Sequence, residues 1–360
     1  MNEKRKKLLR RGLIILLAFI VSIPTLQLPV ATVIIYEAIF HTRYETAPWL
    51  GFQLSDFPGL SCSEVTFSAD GEELRGYLYT SGTSPADAGG IVIISHGHGG
   101  GGQNSYMPFA DVFAKAGYLV LAYDAPGNDQ SPGFVGGLPR GVLALSGAID
   151  YVSSRDDLCH LPIMLFGHSW GAYSGANVLN LHPEIAGAAF VSGFNESEDM
   201  IGYYAREYVG PLADLTMPYI SFYERLKFGK EVTSVSGVSG MAATDAAILI
   251  AHSSDDDTVP TYCGFETYAR EFRDDPRFTF VEFSDQGHTR LLYSPEADTL
   301  TAEFNSGYTA FVEANGGEYS EEMRYAFIEE FGGIEPCFEP DGELIALILQ
   351  TYAAGAAAAE

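Results

Sequence analysis

The sequence predicts an α/β fold in which a mostly parallel central sheet carries helices on both faces. Continuous apolar runs such as residues 91–94 and 118–123 suit strands that are buried on both sides. These runs alternate along the chain with helix-compatible segments, as they do where helices connect parallel strands. The pentapeptide at residues 167–171 reads G-x-S-x-G and stands between such a strand and such a helix. That strand–turn–helix setting is the one in which a nucleophilic serine is presented.

The predicted elements follow from periodicity and turn residues. The first two strands alternate polar and apolar residues around the turn at residues 69–71, as a β-hairpin does. Strands are expected over residues 65–68, 74–79, 91–94, 118–123, 162–166, 188–191, 247–251 and 278–283. Helices are expected over residues 107–116, 141–153, 172–181 and 343–352. The 360 residues are enough for one large α/β domain with insertions.

Residues 1–36 are predicted to form a cytoplasmic basic stub and a transmembrane signal anchor. Lys and Arg side chains cluster over residues 4–11, and residues 12–36 contain no charged side chain. Such a segment suffices for one crossing, and the basic cluster places the N-terminus in the cytoplasm and the remainder outside the cell membrane. The alternative is secretion after cleavage of a signal peptide whose apolar core is residues 13–23. No A-x-A site follows that core, and apolar residues continue past Pro24 and Pro29, which favours the anchor.

The rest of the chain divides into a linker, a domain and a tail. Residues 37–60 read as a linker, residues 61–352 as the α/β domain with its insertions, and residues 353–360 as a tail expected to fray. Two segments exceed what a minimal sheet requires, at about 195–241 and about 291–340, and both are rich in Tyr and Phe. The first follows a strand at its carboxyl end, where α/β sheets bind ligands, which favours a helical lid. For the second, a lid and helices that simply pack on the domain are equally favoured.

Composition limits the partners. The net charge is -27, and the basic residues near the N-terminus make the remainder more acidic still, so we expect no nucleic-acid partner. The four cysteines are widely spaced and form no C-x-x-C pair, which argues against a thiolate zinc site and leaves disulfides open. They are Cys62, Cys159, Cys263 and Cys337. We predict neither a metal nor a cofactor, and the sequence does not indicate an oligomeric state.

A serine hydroxyl needs a base to remove its proton, donors to hold the oxyanion and a third group to orient the base. Ser169 stands in the pentapeptide, where Gly167 and Gly171 give the room that a tight turn needs. His288 follows the last predicted strand on a loop that contains a glycine. Three adjacent acids at residues 255–257 follow the preceding strand, and any of them can face the same sheet edge.

The chain order Ser169, acid, His288, in these settings, resembles the α/β-hydrolase superfamily, in particular its serine esterase, lipase and S9/S33 peptidase-like branches. The resemblance covers about residues 65–288 and implies the α/β-hydrolase fold. In the family's D-x-x-V-P pattern the acid lies four residues before the proline, which selects Asp256. The H-G-x-G loop matches residues 96–99 and implies that the backbone N–H groups of His98 and Trp170 form the oxyanion hole. The family's D-x-x-G-x-G-x-S loop matches residues 124–131 but lacks its second glycine.

These residues predict a serine hydrolase that cleaves an ester, or a small amide, through an acyl-enzyme. A serine peptidase or an acyltransferase would use the same triad, and a non-catalytic binding module on the same fold is a further alternative. A complete set of Ser169, Asp256 and His288 argues against the binding module. No clear acidic motif for a peptide's amino terminus is present, which favours the esterase. His96 is expected to tie down its loop, and His168 to pack or form hydrogen bonds.

Overall fold

The computed structural model describes residues 3–47, 50–99, 102–317 and 319–359, so Pro48 and Trp49 of the predicted linker lie outside the described residues. Its centre is an eight-stranded sheet of order β1-β2-β4-β3-β5-β6-β7-β8. The strands are β1 Ser61–Ala69, β2 Glu72–Thr80, β3 Ile91–Ser95, β4 Leu119–Tyr123, β5 Ile163–His168, β6 Gly187–Val191, β7 Ala247–Ser253 and β8 Phe278–Phe283. The predicted α/β fold is confirmed, and the strands agree with the predicted ones to within a few residues.

Strand pairing follows the sequence pattern. The hairpin β1–β2 turns at Asp70 and Gly71, both with positive φ, and β2 also pairs antiparallel with β4. All other pairs are parallel, from β4–β3 to β7–β8. The residues of β3, β4, β5 and β6 are buried throughout, as continuous apolar runs require. The carboxyl ends of the parallel strands therefore meet at one sheet edge.

Helices cover both faces of the sheet and build two hydrophobic cores, one on each side. The helices are α1 Glu3–Ser22, α2 Leu28–Phe40, α3 Met107–Lys115, α4 Pro139–Ser154, α5 Trp170–Val178, α6 Ser197–Val209, α7 Met217–Phe228, α8 Lys230–Thr233, α9 Gly237–Ala243, α10 Phe265–Phe272, α11 Pro295–Ala314, α12 Glu321–Phe331 and α13 Gly342–Ala359. The first core includes side chains of α2, α4, α5 and α10, and the second includes those of α3, α11 and α13.

The N-terminal helix is longer than predicted. A π-helical turn, Ile23–Gln27, joins α1 to α2, and the helical run Glu3–Phe40 is long and apolar enough to cross a membrane. Signal sequences meet the same criterion. The helix continues four residues past the predicted end of the anchor, to Phe40. Thr32, Tyr36 and Phe40 lie four residues apart on one face, which is buried against the domain.

Both predicted insertions are helical. The first contains α6, α7, α8, α9 and a 3-10 helix, Gly210–Leu215. The second contains α11, α12 and a 3-10 helix, Glu335–Phe338. The tail expected to fray is instead part of α13, which continues to Ala359. Helix α13 packs closely on the residues before β6, and Gly355 allows this, since a Cβ there would lie 2.2 Å from the Ala186 carbonyl oxygen.

Candidate active site

Ser169 occupies a strained turn between β5 and α5. Its φ is 56° and its ψ is -118°, a conformation that costs a non-glycine residue about 1–3 kcal/mol. The turn is held from both sides, because the Ser169 N–H donates to the Val191 carbonyl at 2.8 Å and the Ser169 carbonyl accepts from the Tyr173 N–H at 3.0 Å. The side chain is only partly buried. This geometry presents the hydroxyl above the sheet edge, as a nucleophile elbow does.

The two glycines of the pentapeptide are required by close backbone approach. A Cβ on Gly171 would lie 1.9 Å from the Ser95 carbonyl oxygen of β3, and a Cβ on Gly167 would lie 2.5 Å from the Gly171 carbonyl oxygen. Neither backbone atom has room to move aside, because both belong to regular elements in the core. Both positions therefore require glycine, as expected from the sequence.

Asp256 and His288 are hydrogen-bonded to each other. The His288 Nδ1–H donates to Asp256 Oδ2 at 2.7 Å, which leaves Nε2 unprotonated in the neutral ring. Asp256 also accepts from the backbone N–H groups of Thr258 and Val259 through Oδ1. Burial opposes ionisation of Asp256, but hydrogen bonds from His252 and His288 outweigh it and hold its pKa below the ordinary value. Of the three adjacent acids, Asp256 is the buried one.

Asp255 has a structural role that the sequence did not reveal. Although it is exposed, its Oδ1 accepts from the backbone N–H groups of Gln286 and Gly287 at 3.1 and 3.0 Å and from the Ser253 hydroxyl. Asp255 is therefore more than a solvated surface acid, because these bonds hold the turn that precedes His288. The hydrogen bonds, foremost that of Ser253, lower the pKa of Asp255. Asp257 is exposed, and its carbonyl accepts from the Tyr203 hydroxyl.

His168 links the loop after β3 to the backbone of His288. Its Nε2–H donates to the His288 carbonyl at 3.1 Å, so its Nδ1 accepts from the Tyr106 hydroxyl at 2.9 Å. The Tyr106 oxygen in turn accepts from the Gly97 N–H at 3.0 Å. Burial, followed by the neighbouring His288, lowers the pKa of His168 to about 3. The predicted hydrogen-bonding role of His168 is confirmed, and the ring is neutral at ordinary pH.

The predicted oxyanion donors lie on two sides of the elbow. His98 lies in the loop after β3, where its ring contacts that of Trp170 edge-on at 5.6 Å. Within the described residues, neither the His98 N–H nor the Trp170 N–H donates a hydrogen bond. His96 holds this loop, since its Nδ1–H donates to the Gly97 carbonyl and its Nε2 accepts from the Ala125 N–H. Tying the loop is the role expected for His96.

The loop at residues 124–131 replaces its missing glycine by an acid. Asp129 stands at that position with a φ of 37°, in the region that glycine favours. Its two carboxylate oxygens accept from the Thr46 N–H and the Thr46 hydroxyl, both at 2.6 Å. These bonds fasten residues just after the N-terminal helix to the loop, and they compensate the backbone strain at Asp129.

The four cysteines are free thiols, of which Cys263 and Cys337 are buried. Cys263 is one wall of a cavity of about 390 Å³ between α6, α7 and the loop after β7. Acids predominate among its polar residues, with Glu196, Glu198, Asp199 and Asp214 beside Arg206. Ser169 and His288 are not among the residues that form it. The sequence does not predict this acidic cavity, because its acids come together only when α6 and α7 pack.

Comparisons with known proteins agree with this fold. Residues 86–239 match the family model described as serine aminopeptidase, S33. The quorum-quenching protein AidA of Acinetobacter baumannii is 27% identical over 148 residues, which are 38% of this chain and 47% of that protein. The chain thus matches about half the length of that relative. An esterase of Pyrococcus furiosus superposes with a TM-score of 0.53 at 17% identity, covering 76% of this chain and 98% of that one. Another crystal form of it gives 0.51 at 18% identity, over 73% and 96% of the two chains.

The sheet order and the strained serine turn are those of the α/β-hydrolase fold, and the structural likenesses agree with it. The family match over residues 86–239 indicates an enzyme of the α/β-hydrolase type. The proteins that the chain resembles are described as a serine aminopeptidase family and an esterase. The fold implied by the sequence motifs is therefore confirmed, and the family match agrees with the resemblance.

Proposed function

We propose that this protein hydrolyses an ester, or a small amide, through an acyl-enzyme formed on Ser169, with His288 as the base and Asp256 as the group that orients it. The observation that carries the proposal is the Asp256–His288 hydrogen bond, which leaves the His288 Nε2 free to accept a proton. The centroid of the His288 ring lies 5.0 Å from that of His168, the residue before Ser169. The low pKa of Asp256 supports the same assignment, because an ionised carboxylate stabilises the imidazolium that forms.

The proposed reaction has two halves. The Ser169 Oγ attacks the substrate carbonyl carbon while its proton passes to His288 Nε2, and the carbonyl oxygen becomes an oxyanion that the N–H groups of His98 and Trp170 stabilise. The imidazolium then gives its proton to the leaving alcohol or amine as the bond to the carbonyl carbon breaks. Water, deprotonated by His288, attacks the acyl-enzyme in the same manner and releases the acid and Ser169.

We also propose that residues 1–36 remain on the protein as a membrane anchor. The contacts of α2 support retention over cleavage. The Tyr36 hydroxyl donates to Glu224 at 2.7 Å, and the buried Glu224 loses that donor if the chain is cut after residue 36. Glu37 pairs with Lys227 at 2.5 Å. The mature protein should therefore keep residues 1–36 and sediment with membranes. A mature protein that begins near residue 25 to 40 would show cleavage and contradict the anchor.

A serine peptidase is the second candidate, and one observation favours it. The acidic cavity beside α6 and α7 would suit a peptide's amino terminus, because an ammonium group gains from neighbouring carboxylates in a partly desolvated site. The neutralising variant Glu198→Gln distinguishes the candidates. It should leave the hydrolysis of a neutral ester unchanged, whereas a peptidase that used the cavity would show a raised KM for peptides with a free amino terminus.

Labelling with a fluorophosphonate tests the proposed nucleophile directly. Mass spectrometry should locate the adduct on Ser169, and Ser169→Ala should lose both the label and esterase activity by several powers of ten. Ser153→Ala, at an exposed position of α4, is the matched control and should behave as the wild type. An adduct on any other serine would overturn the assignment.

A further inference from the structure

We propose that the helical insertion between β6 and β7 lies against the outer leaflet of the membrane and that an exposed apolar surface on it contacts lipid. The surface consists of Leu212, Leu215, Phe222 and Leu226, which we call the apolar face of the insertion. Each of these side chains is between 59% and 69% exposed. From Leu215 onward, intervals of three and four residues place Tyr219, Phe222 and Leu226 on the same side of α7.

A cluster of exposed apolar side chains is typical of a surface that contacts another molecule or a membrane. The neighbouring helix indicates that this surface contacts lipid. The Tyr219 hydroxyl donates to the Pro24 carbonyl at 2.8 Å, so the apolar face lies beside the helical run that is long enough to cross a membrane. That run exposes its own side chains around Pro24, among them Ile23 and Leu26. The apolar face therefore continues a surface that hydrocarbon would cover.

Contacts between α7 and the N-terminal helical run also fix the orientation of α7 relative to the membrane. Near its start, Tyr219 contacts Pro24, and near its end, Lys227 pairs with Glu37 at 2.5 Å. Helix α7 and the anchor helix thus run in the same direction. Leu215, in the 3-10 helix just before α7, lies nearer to the middle of the uncharged segment, and Leu226 lies farther from it. Arg225 and Lys230 are exposed at the far end, where cationic side chains meet lipid headgroups.

The same insertion reaches the candidate active site. On α6, the Tyr203 hydroxyl donates to the Asp257 carbonyl at 3.2 Å and the Tyr204 hydroxyl donates to the Thr258 carbonyl at 3.1 Å, immediately after Asp256. The insertion therefore connects the membrane segment to the loop of the catalytic acid. We infer that the substrate is an amphiphilic ester taken from the bilayer, and this part of the inference rests on the hydrolase function proposed above.

Quenching of tryptophan fluorescence by lipids brominated on their acyl chains tests the surface itself. The full-length variants Leu215→Trp and Leu226→Trp are reconstituted in phosphatidylcholine vesicles with and without bromine, together with Tyr325→Trp. Tyr325 is an exposed aromatic of α12, which packs on the opposite face of the sheet. Bromine should quench the fluorescence added in Leu215→Trp most, that in Leu226→Trp less and that in Tyr325→Trp not at all. Equal quenching of Leu215→Trp and Tyr325→Trp would overturn the proposal, as would a second copy of the chain covering the surface.

The substrate class is tested with two esters. Phe222→Glu should lower kcat/KM for a long-chain ester held in vesicles by about tenfold, because placing one large apolar side chain in hydrocarbon contributes about that much. Its activity on a short, water-soluble ester should be unchanged, and Tyr325→Glu should change neither. An equal rate of wild type and Phe222→Glu on the vesicle ester would contradict the inferred substrate. A wild-type chain inactive on both esters would instead contradict the hydrolase function, and the quenching result would still decide the surface.

Discussion

Replacing Asp256 by Asn exchanges one carboxylate oxygen for an amide nitrogen and should abolish most of the activity. Oδ1 accepts from two backbone N–H groups, and Oδ2 accepts from His288 and lies 3.1 Å from His252 Nε2, so donors surround both oxygens. In either orientation, the side-chain –NH₂ of the Asp256→Asn variant faces two donors. The His288 ring escapes this conflict by accepting at Nδ1, which puts its proton on Nε2, where it cannot act as a base.

The magnitude follows from that tautomer. We expect kcat/KM to fall by about ten-thousandfold, as for a buried aspartate whose loss gives the wrong imidazole tautomer. Unfolding should be easier by about 1–3 kcal/mol, because buried donors lose their acceptor. The neighbours serve as controls. Asp255→Asn keeps an oxygen for Gln286 and Gly287 and should cost about tenfold or less, whereas Asp257→Asn removes a solvated charge and should stay near the wild type.

The assay compares kcat/KM of the three variants on one water-soluble ester, with thermal unfolding measured alongside. Asp256→Asn must remain folded at the assay temperature and retain the secondary structure of the wild type. An Asp256→Asn variant that keeps more than about a tenth of the activity would refute the role of Asp256, since a wrong tautomer removes the base altogether. A large loss of activity in Asp257→Asn instead would also refute it.

Three further changes test how the site is held. Gly171→Ala places a Cβ 1.9 Å from the Ser95 carbonyl oxygen and should cost at least about 2 kcal/mol of stability and about 100-fold in kcat, while Gly342→Ala, with open space around it, should cost neither. Burial lowers the pKa of His168 from 6.5 to about 3, so the unfolded state binds a proton at a higher pH than the folded state does. Stability should therefore fall as the pH drops from 6.5 to about 3. Thermal unfolding of His168→Gln should depend less on pH over that range. Tyr36→Phe takes a donor from buried Glu224 and should lower stability by about 1–3 kcal/mol, a loss that circular dichroism would measure against the exposed control Tyr325→Phe. A pH response of His168→Gln equal to that of the wild type, or an unchanged Tyr36→Phe, would contradict these assignments.

Much of the candidate active site at the sheet edge was predictable, because local sequence determines the elements that form it. The pentapeptide indicates a tight serine turn because it stands between a predicted strand and a predicted helix, and the crowding at Gly167 comes from residues close in sequence. The apolar runs indicate buried parallel strands, and their carboxyl ends bring together the loops that carry Asp256 and His288. The two predicted oxyanion donors stay predictions, as does the lid role of residues 195–241.

Contacts between distant residues were beyond prediction, because they depend on how helices pack. Asp255 looks like a surface acid in the sequence, and only the fold brings it to the N–H groups of Gln286 and Gly287. In the sequence, Glu224 looks like any other polar residue of a helix. Only the fold buries it and brings the Tyr36 hydroxyl of α2 to its carboxylate. Periodicity reports which face of one element is apolar and never which partner covers it. The sequence by itself therefore determined the serine turn and the sheet, while the tertiary structure decided that the insertion rests on the N-terminal helical run, since those hydrogen bonds join residues almost two hundred positions apart.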